Sequence, residues 1–403
     1  MIKTALLGFG TVGSGVAEVM AENHDSIAHN AADEIELKYI LCRRPRPGSK
    51  FSSLIIHDFE TILNDPEIRI AAECIGGAGE AYDYTKRLLL AGKSVVTANK
   101  ELVATHGCEL LSIAKENNLN YLFEASVGGG IPIIRPITQC LAANELDEVY
   151  GVLNGTTNYI LTQMEQCSQS FDDALREAQR LGYAEADPTA DVEGLDACRK
   201  ICILGDLCFG YHIDPSEVRA TGITGVSAED VLYANQLGCK IKLLGRALRT
   251  GPNTVTAYVA PHLISNSSML SNVHGVMNGI VVRGNALGEA MFYGPGAGKM
   301  PTASAVVADI IDAAKHLKAR KYLGWDEMKP GGFTDSDDIV SRWFIRTSSP
   351  LSEIGRAFGN IRFVTYDGSP TDEYAFATSR MYAHAIKVMT RNLDIRSMFR
   401  ILD

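Results

Sequence analysis

Several features that decide a protein's class are missing from this chain of 403 residues. Its apolar runs are short, whereas a membrane-spanning helix needs about 20 consecutive apolar residues. The first residues run into a strand pattern without the apolar segment of a secretion signal. The nine cysteines form no C-x-x-C pair, which argues against a zinc site and for reduced thiols. The sequence therefore predicts a cytoplasmic protein without a membrane partner.

Positive charge is also scarce. The 38 lysines and arginines are outnumbered by 48 aspartates and glutamates, which gives a net charge of −10. Because a nucleic-acid surface needs a basic patch, we expect no nucleic-acid partner. Apolar residues make up 46% and charged residues 21% of the chain, as in ordinary globular proteins, and the length suffices for two or three domains.

A glycine motif, G-F-G-T-V-G at 8–13, lies between a predicted strand at 2–7 and a helical pattern. In dinucleotide-binding folds the first glycine permits a tight turn, the second lets the backbone approach a pyrophosphate, and the third allows close helix packing. Gly8, Gly10 and Gly13 occupy those positions. Strands then alternate with helices, which predicts an α/β fold with a Rossmann-type, doubly wound parallel sheet.

The remaining pattern predicts how the domains divide. The dinucleotide-binding domain covers 1–130 and is completed by a helix at about 300–320. A second, α+β domain for substrate binding and oligomerisation covers 131–299, and 321–338 is a predicted linker. The tail, 339–403, follows the order strand, helix, strand, strand, helix, strand, which is typical of a ferredoxin-like domain.

Cofactor choice depends on the end of the second strand, where NAD enzymes place an acidic residue that binds the ribose 2′-hydroxyl. This chain has Cys42-Arg43-Arg44 there. A guanidinium at Arg43 suits a 2′-phosphate, so we favour NADP. NAD stays open, because an arginine can also stack on adenine without discriminating.

Two lysines are candidates for catalysis. Lys200 follows an acidic stretch and stands four residues after Asp196, so the two share one helix face. A lysine at the edge of a core is suited to proton transfer, although an ordinary exposed salt bridge would have the same spacing. Lys100 follows the fourth predicted strand, at the sheet edge where doubly wound folds bind ligands. It is either a second cation near the reacting carbonyl or an exposed loop lysine.

A glycine run after an acidic residue suggests a cation site. Glu124 precedes Gly128-Gly129-Gly130. One carboxylate and several bare backbone carbonyls would supply the oxygen ligands that alkali and alkaline-earth cations prefer. A glycine hinge between domains is the alternative.

Six segments together resemble the homoserine dehydrogenase family, in its order and spacing. They are GFGTVG at 8–13, VVTANK at 95–100, FEASVGGGIPIIRP at 123–136, LNGTTNYIL at 153–161, LGYAEADPTADVEGLDACRK at 181–200 and GPGAGKMPTASAV at 294–306. The resemblance implies NAD(P)H-dependent, reversible reduction of L-aspartate 4-semialdehyde to L-homoserine, in threonine, methionine and isoleucine biosynthesis.

The resemblance also implies residue roles. Lys200 would donate the proton, and Lys100 would stand beside the cofactor. The substrate would be held by Gly182, Tyr183, Glu185 and Asp196. The cofactor would contact Gly8, Phe9, Gly10, Thr11, Val12, Gly13, Arg43 and Lys100. A sodium ion would be bound by Glu124 and the carbonyls of Val127, Gly129 and Ile131.

Two segments depart from the family's pattern. After Ile75-Gly76-Gly77 the family has an acidic residue followed by proline, whereas this chain has Ala78-Gly79-Glu80-Ala81. The tail takes the place of the family's ACT regulatory domain, but has Thr347-Ser348-Ser349-Pro350 instead of its Asp-x-Pro-Gly turn. The tail is therefore either an amino-acid sensor, with threonine as the effector, or a segment that serves in oligomerisation. Family precedent predicts a homodimer or homotetramer.

Two other functions compete with this one. An aldehyde dehydrogenase that forms a thioester would need a cysteine after the fourth or fifth predicted strand, and none stands there. A non-catalytic nucleotide-binding scaffold or amino-acid sensor is disfavoured by the presence of Glu185, Asp196 and Lys200.

Overall fold

A computed structural model describes residues 1–319 and 323–402. Its helices are α1 (Thr11–Glu22), α2 (His24–Ala31), α3 (Phe59–Asn64), α4 (Gly79–Leu90), α5 (Lys100–Glu116), α6 (Gly155–Cys167), α7 (Phe171–Arg180), α8 (Thr189–Val192), α9 (Leu195–Phe209), α10 (Ala228–Gln236), α11 (Lys299–Lys315), α12 (Leu351–Phe358) and α13 (Ala383–Thr390). Its strands are β1 (Ile2–Leu7), β2 (Ile35–Leu41), β3 (Ile55–Ile56), β4 (Ile68–Glu73), β5 (Ser94–Thr97), β6 (Tyr121–Leu122), β7 (Leu146–Val152), β8 (Arg219–Ala220), β9 (Cys239–Gly251), β10 (Thr254–Ser265), β11 (Met277–Gly284), β12 (Gly288–Pro295), β13 (Val340–Thr347), β14 (Phe363–Val364), β15 (Tyr374–Ala377), β16 (Met381–Tyr382) and β17 (Ile395–Leu402). Within those described ranges, no helix combines the length and the apolar character needed to cross a bilayer.

The chain divides into two compact units. The first comprises Met1–Glu145, Cys202–Pro215 and Gly294–Glu327. The second comprises Leu146–Ile201, Ser216–Tyr293 and Met328–Asp403. These bounds differ from the predicted boundaries at 130 and 299, because the second sheet begins only with β7. Residues 320–322, in the predicted helix and linker, and residue 403 of the tail lie outside the described part of the chain.

The first unit contains a six-stranded parallel sheet in the order β3-β2-β1-β4-β5-β6. This arrangement confirms the predicted Rossmann-type sheet. α1 and α11 pack together beside it, since Val16 and Val306 belong to one buried core cluster. Gly15 permits their close approach, because a Cβ there would lie only 2.9 Å from the carbonyl oxygen of Lys299.

The second unit is built on a mixed sheet of eleven strands. Nine follow the order β12-β11-β7-β9-β10-β17-β13-β15-β14, and the other two lie off this path, with β8 paired to β10 and β16 paired to β13. The tail supplies the strands from β13 onward, with α12 and α13 between them. Its last strand, β17, pairs in parallel with β10 and antiparallel with β13. The tail therefore extends the main sheet instead of forming a sheet of its own, because β10 offers an edge that β17 can pair with. The prediction of a separate ACT-like domain is not confirmed.

Candidate active site

The glycine turn of the first unit has the geometry that its sequence motif predicts. Gly8 adopts a φ of +94°, and a Cβ on it would lie 2.7 Å from the carbonyl oxygen of Cys74. A Cβ on Gly13 would lie 2.1 Å from the Gly8 carbonyl oxygen, so α1 packs directly beneath the turn. A Cβ on Gly10 would meet no atom within 4 Å. The space above Gly10, at the start of α1, is therefore open to a ligand.

The turn lies in a cleft of about 400 Å³ within the first unit. Its lining includes Phe9, Gly10, Arg43, Arg44, Arg46 and Glu80. The side chain of Arg43 is 81% exposed and forms an ion pair with Glu80. Of the other predicted cofactor contacts in the turn, Thr11 is exposed and Val12 packs against the core. The cleft thus combines a bare helix N-terminus with three guanidinium groups, which suits a phosphorylated ligand.

Lys100 is the first residue of α5 and is half-buried. Its position is set by Asn99, which caps the helix by accepting a hydrogen bond from the Leu102 N–H at 3.1 Å. The Asn99 amide also donates to the carbonyl oxygens of Ile75 and Gly77, at 3.0 and 2.7 Å. The start of α5 is therefore tied to the loop that follows β4, which borders the nucleotide cleft.

A buried carboxyl group supports this connection. Glu73 ends β4, is fully buried, and accepts hydrogen bonds from the Thr97 hydroxyl and the Ile75 N–H. Thr97 in turn accepts a hydrogen bond from the Asn99 N–H at 2.9 Å. Burial raises the pKa of Glu73 to about 7. Sequence reasoning overlooked this residue, because nothing in the pattern distinguishes it from a residue at the exposed end of a strand.

The predicted cation site is only partly consistent with the structure. The Glu124 carboxylate is buried and accepts three backbone N–H groups, from Ile133 and Ile134 on Oε1 and from Arg135 on Oε2, at 2.7 to 2.9 Å. Its oxygens are therefore already engaged in holding residues 133–135. In the described ranges, no group of three or more His, Cys, Asp or Glu side chains is arranged to hold a metal ion.

The backbone carbonyls of the same loop are better candidates. No described residue donates a hydrogen bond to the carbonyl oxygens of Val127, Gly129 or Ile131. The loop is tightly curled, since a Cβ on Gly128 would lie 2.4 Å from the Ile131 carbonyl oxygen. These oxygens could act as ligands of a hard cation.

In the second unit, Lys200 and Asp196 form an ion pair near the start of α9. The Lys200 Nζ lies 2.8 Å from Asp196 Oδ2, and their side chains are only 8% and 5% exposed. Lys200 also donates to the carbonyl oxygen of Leu153 at 2.8 Å. The exposed salt bridge considered as an alternative is therefore wrong, because the pair is buried and the ammonium is held by two acceptors.

Asn154 organises the acidic groups around this lysine. It caps α6 by accepting the Thr157 N–H at 2.9 Å, and its amide donates to Asp191 Oδ1 and Asp196 Oδ2, at 2.7 and 2.9 Å. Asn154 lies in one of the segments that resemble the family, but the sequence indicated no role for it or for Asp191. The only available signal was an asparagine at a predicted helix start.

The other predicted substrate residues lie on the segment between α7 and α8. Gly182 has a φ of +77°, the carbonyl oxygen of Tyr183 accepts a hydrogen bond from the Thr156 hydroxyl at 2.7 Å, and Glu185 is exposed. No hydrogen bond or ion pair between described residues joins the Glu185 carboxylate to Lys200 or Asp196. The structure thus brings together Lys200, Asp196, Asn154 and Asp191 but not Glu185.

Two family models match the chain. One, described as the homoserine dehydrogenase NAD-binding domain, matches residues 8–124, and the other, described as homoserine dehydrogenase, matches residues 132–311. Together they cover the glycine turn, the start of α5, Asn154 and the Lys200 ion pair.

Curated relatives and solved structures agree with these models. The chain is 41% identical over 352 residues to homoserine dehydrogenase of Bacillus subtilis, covering 86% of this chain and 81% of the relative. The Pseudomonas aeruginosa enzyme is 42% identical over 317 residues, covering 78% and 73%. The Thiobacillus denitrificans structure of a homoserine dehydrogenase has a TM-score of 0.89 at 34% identity and covers 100% of this chain and 98% of that one. A hyperthermophilic archaeal homoserine dehydrogenase in complex with NADPH has a TM-score of 0.66 at 30% identity, covering 77% and 97%.

Proposed function

The chain belongs to the homoserine dehydrogenase family, and from this premise we propose that Lys200 is the proton donor of its reaction. The enzyme is an NAD(P)-dependent oxidoreductase that interconverts L-aspartate 4-semialdehyde and L-homoserine, in threonine, methionine and isoleucine biosynthesis. The nicotinamide cofactor supplies the hydride when it is bound. The observation that carries the proposal is the buried ammonium of Lys200, held between Asp196 and the Leu153 carbonyl.

Reduction of an aldehyde converts its oxygen to an alkoxide, which needs a proton and stabilisation of its charge. The Lys200 ammonium has three N–H groups, of which two point to Asp196 and Leu153. The third can point to the substrate oxygen. We propose that Asp196 orients Lys200 and contacts the hydroxyl end of the substrate. Glu185, which is exposed, would bind the substrate's ammonium, with Gly182 and Tyr183 beside it.

On the cofactor side, we propose that the turn from Gly8 to Gly13 binds the pyrophosphate and that Arg43 binds a 2′-phosphate, so that NADP is preferred over NAD. Open space above Gly10 and three guanidinium groups in one cleft support this assignment. Lys100 would add positive charge beside the nicotinamide. Its place at the capped start of α5, next to the loop after β4, supports that role.

The structure also bears on the thioester alternative. Cys74 borders the nucleotide cleft, but burial and the adjacent Glu73 raise the pKa of its thiol well above the usual value. A nucleophilic cysteine needs the opposite shift, toward the thiolate. Cys74 is therefore unsuited to form a thioester, and hydride transfer to the aldehyde is favoured.

We propose that a sodium ion binds to the carbonyl oxygens of Val127, Gly129 and Ile131. Glu124 would support the loop without binding the ion itself, since its carboxylate already accepts hydrogen bonds from the backbone of residues 133–135. The ion would stabilise the curled loop between the first sheet and β7.

Replacement of sodium chloride by tetramethylammonium chloride at constant ionic strength should lower the unfolding temperature, because a bound ion stabilises the folded state by mass action. For a chain of 403 residues the expected shift is about 1 °C for each kcal/mol of stabilisation by the ion, and kcat/KM should also fall. Differential scanning calorimetry and steady-state rates provide the two measurements. Equal unfolding temperatures and rates in both salts would contradict a sodium site.

We propose that the tail carries an amino-acid effector site, with threonine as the ligand. A cavity of about 580 Å³ in the second unit supports this idea. Its wall includes Arg400, which is 6% exposed, stacks over Trp343 at 4.5 Å and donates to Ser341 and the Ser336 carbonyl. No carboxylate of a described residue lies within salt-bridge distance of this guanidinium. Asp337 on the same wall attracts this guanidinium without forming an ion pair with it, so Arg400 can still bind an anionic group such as an amino-acid carboxylate.

The cavity wall reaches the segment that carries Asp191 and Asp196. Gly222 lines the cavity, and a Cβ on it would lie 2.1 Å from the Val192 carbonyl oxygen. Ile223 donates its N–H to the same oxygen at 2.8 Å. A ligand that displaced this loop would therefore disturb the neighbours of Asp191. A tail that serves only in oligomerisation is the alternative, and assembly as a homodimer or homotetramer stays a prediction.

Measurement of kcat/KM for NADPH and for NADH, each with and without L-threonine, tests the preference for NADP and the effector site in the tail. We expect kcat/KM for NADPH to exceed that for NADH by about tenfold, as one charged hydrogen-bonded contact to the 2′-phosphate would give. L-Threonine at millimolar concentration should lower the rate, and an Arg400→Met variant should lose this response. A preference for NADH would contradict the assignment of NADP as the preferred cofactor, and rates unaffected by threonine would favour the oligomerisation role.

A further inference from the structure

The nucleotide cleft contains a carboxylate that its sequence motif does not predict. Glu80, in the first turn of α4, lines the cleft together with Gly10 and Arg43. One of its oxygens accepts a hydrogen bond from the Arg43 guanidinium, and the other accepts one from the Tyr84 hydroxyl at 3.0 Å. Both oxygens are therefore held, and the carboxylate is fixed in the wall of the cleft.

Tyr84 provides a rigid support for this carboxylate. Its ring stacks on that of Phe59, with centroids 4.0 Å apart and planes inclined by 11°. Burial and the bond to Glu80 raise the pKa of Tyr84, so the phenol keeps its proton and stays a donor. The direction of the Glu80 side chain is thus set by the fold and does not depend on Arg43 alone.

The two cofactors differ at the ribose 2′ position, which carries a hydroxyl in NAD and a phosphate in NADP. A carboxylate accepts a hydrogen bond from the hydroxyl and repels the phosphate, whereas a guanidinium binds the phosphate. Arg43 is 81% exposed, and ion pairs this exposed contribute little to stability. Arg43 can therefore exchange Glu80 for a phosphate at small cost, but the negative charge of Glu80 remains beside it.

We propose that Glu80 is a specificity-determining residue for the cofactor, which favours NAD and opposes the preference for NADP that Arg43 confers. This inference rests on the proposed location of the adenosine ribose at the end of β2. It assigns to Glu80 the function that an acidic residue at the end of the second strand has in NAD enzymes. The carboxylate reaches the cleft from α4 instead, in the stretch where the chain departs from the family's pattern.

The test is the cofactor ratio, defined as kcat/KM for NADPH divided by kcat/KM for NADH. Glu80→Gln should raise this ratio about tenfold, because it removes a like charge beside the phosphate and releases Arg43. Tyr84→Phe, which removes one of the two bonds that hold Glu80, should raise it by a smaller factor. Arg43→Gln should lower the ratio. In the Arg43→Gln background the effect of Glu80→Gln should shrink, since part of it acts through Arg43.

Glu60→Gln is the matched control. Glu60 forms an ion pair of the same kind, 2.6 Å from Arg87 of α4, but it does not line the cleft. Its loss should leave the cofactor ratio unchanged. A ratio within twofold of the parent's in a folded Glu80→Gln variant would overturn the inference. If that variant does not fold, an unchanged ratio in Tyr84→Phe would overturn it instead. A parent that prefers NADH would contradict the proposed preference for NADP but not this inference, because Glu80→Gln should still raise the ratio. The role of Arg43 is tested separately by Arg43→Gln.

Discussion

Lys200→Ala should lower kcat by about 10²–10⁴-fold, the usual contribution of a positioned general acid, while cofactor binding persists. The variant removes the group that would protonate the substrate oxygen and leaves the nucleotide cleft of the first unit intact. Steady-state rates with NADPH and L-aspartate 4-semialdehyde give kcat, and fluorescence titration with NADPH gives the dissociation constant. Near-parental turnover would end the assignment of Lys200 as proton donor.

Loss of activity in that variant could also arise from loss of stability. Removal of one partner from a buried ion pair costs about 3–5 kcal/mol, and Asp196 would keep its charge in a buried position. Lys200→Arg separates the two causes. An arginine retains the charge that pairs with Asp196 but does not release a proton, so we expect a smaller loss of stability than in Lys200→Ala, with turnover still lost.

A matched control for Lys200→Ala is Lys240→Ala. Lys240 also belongs to the second unit and is ion-paired, with Nζ 2.9 Å from Glu165, but its side chain is 19% exposed and lies outside the Lys200 cluster. Its loss should change kcat by less than twofold. A comparable loss of turnover in both variants would mean that the effect of Lys200→Ala is not specific to its position.

Local spacing predicted the parts of this site that lie within one element. The glycine motif predicted the turn at Gly8 and Gly10, because a strand, a tight turn and a helix follow each other directly. The interval from Asp196 to Lys200 predicted their pairing, because residues four apart share a helix face. Alternation of strands and helices predicted the parallel sheet for a similar reason, since each parallel connection needs a crossover.

Contacts between distant segments could not be predicted in this way. The Leu153 carbonyl and the Asn154 amide reach the Lys200 pair only because β7 ends beside the start of α9. Glu80 reaches the cleft from α4, and nothing in its sequence position indicates that. The pairing of β17 with β10 depends on which strand edge is left open once the second sheet has formed. In each case the missing information is the arrangement of elements, not their identity.

Substitution of Asn154 provides the clearest test of such a long-range contact. Asn154→Ala should destabilise the protein by about 1 kcal/mol for the lost helix cap, and by about 1–3 kcal/mol more where a buried carboxylate loses its donor. Because Asp196 would keep Lys200 but lose the Asn154 amide, the pair should shift, and a displacement of about 1 Å can lower the rate about 10²-fold. Urea unfolding and kcat/KM for L-aspartate 4-semialdehyde measure the two effects.

Two further variants distinguish the helix cap of Asn154 from its effect on the carboxylates. Asn154→Ser keeps a side-chain oxygen that can accept the Thr157 N–H, but it lacks the amide that donates to Asp191 and Asp196. Ser170→Ala removes an exposed cap of α7 in the same unit. We expect Asn154→Ser to lower kcat/KM and to lose the about 1–3 kcal/mol that the amide contributes, without the further loss for the cap. We expect Ser170→Ala to lose stability with parental kcat/KM. Parental kcat/KM in Asn154→Ser would show that the Lys200 pair keeps its geometry without the amide, and the catalytic importance of Asn154 would then reduce to capping α6.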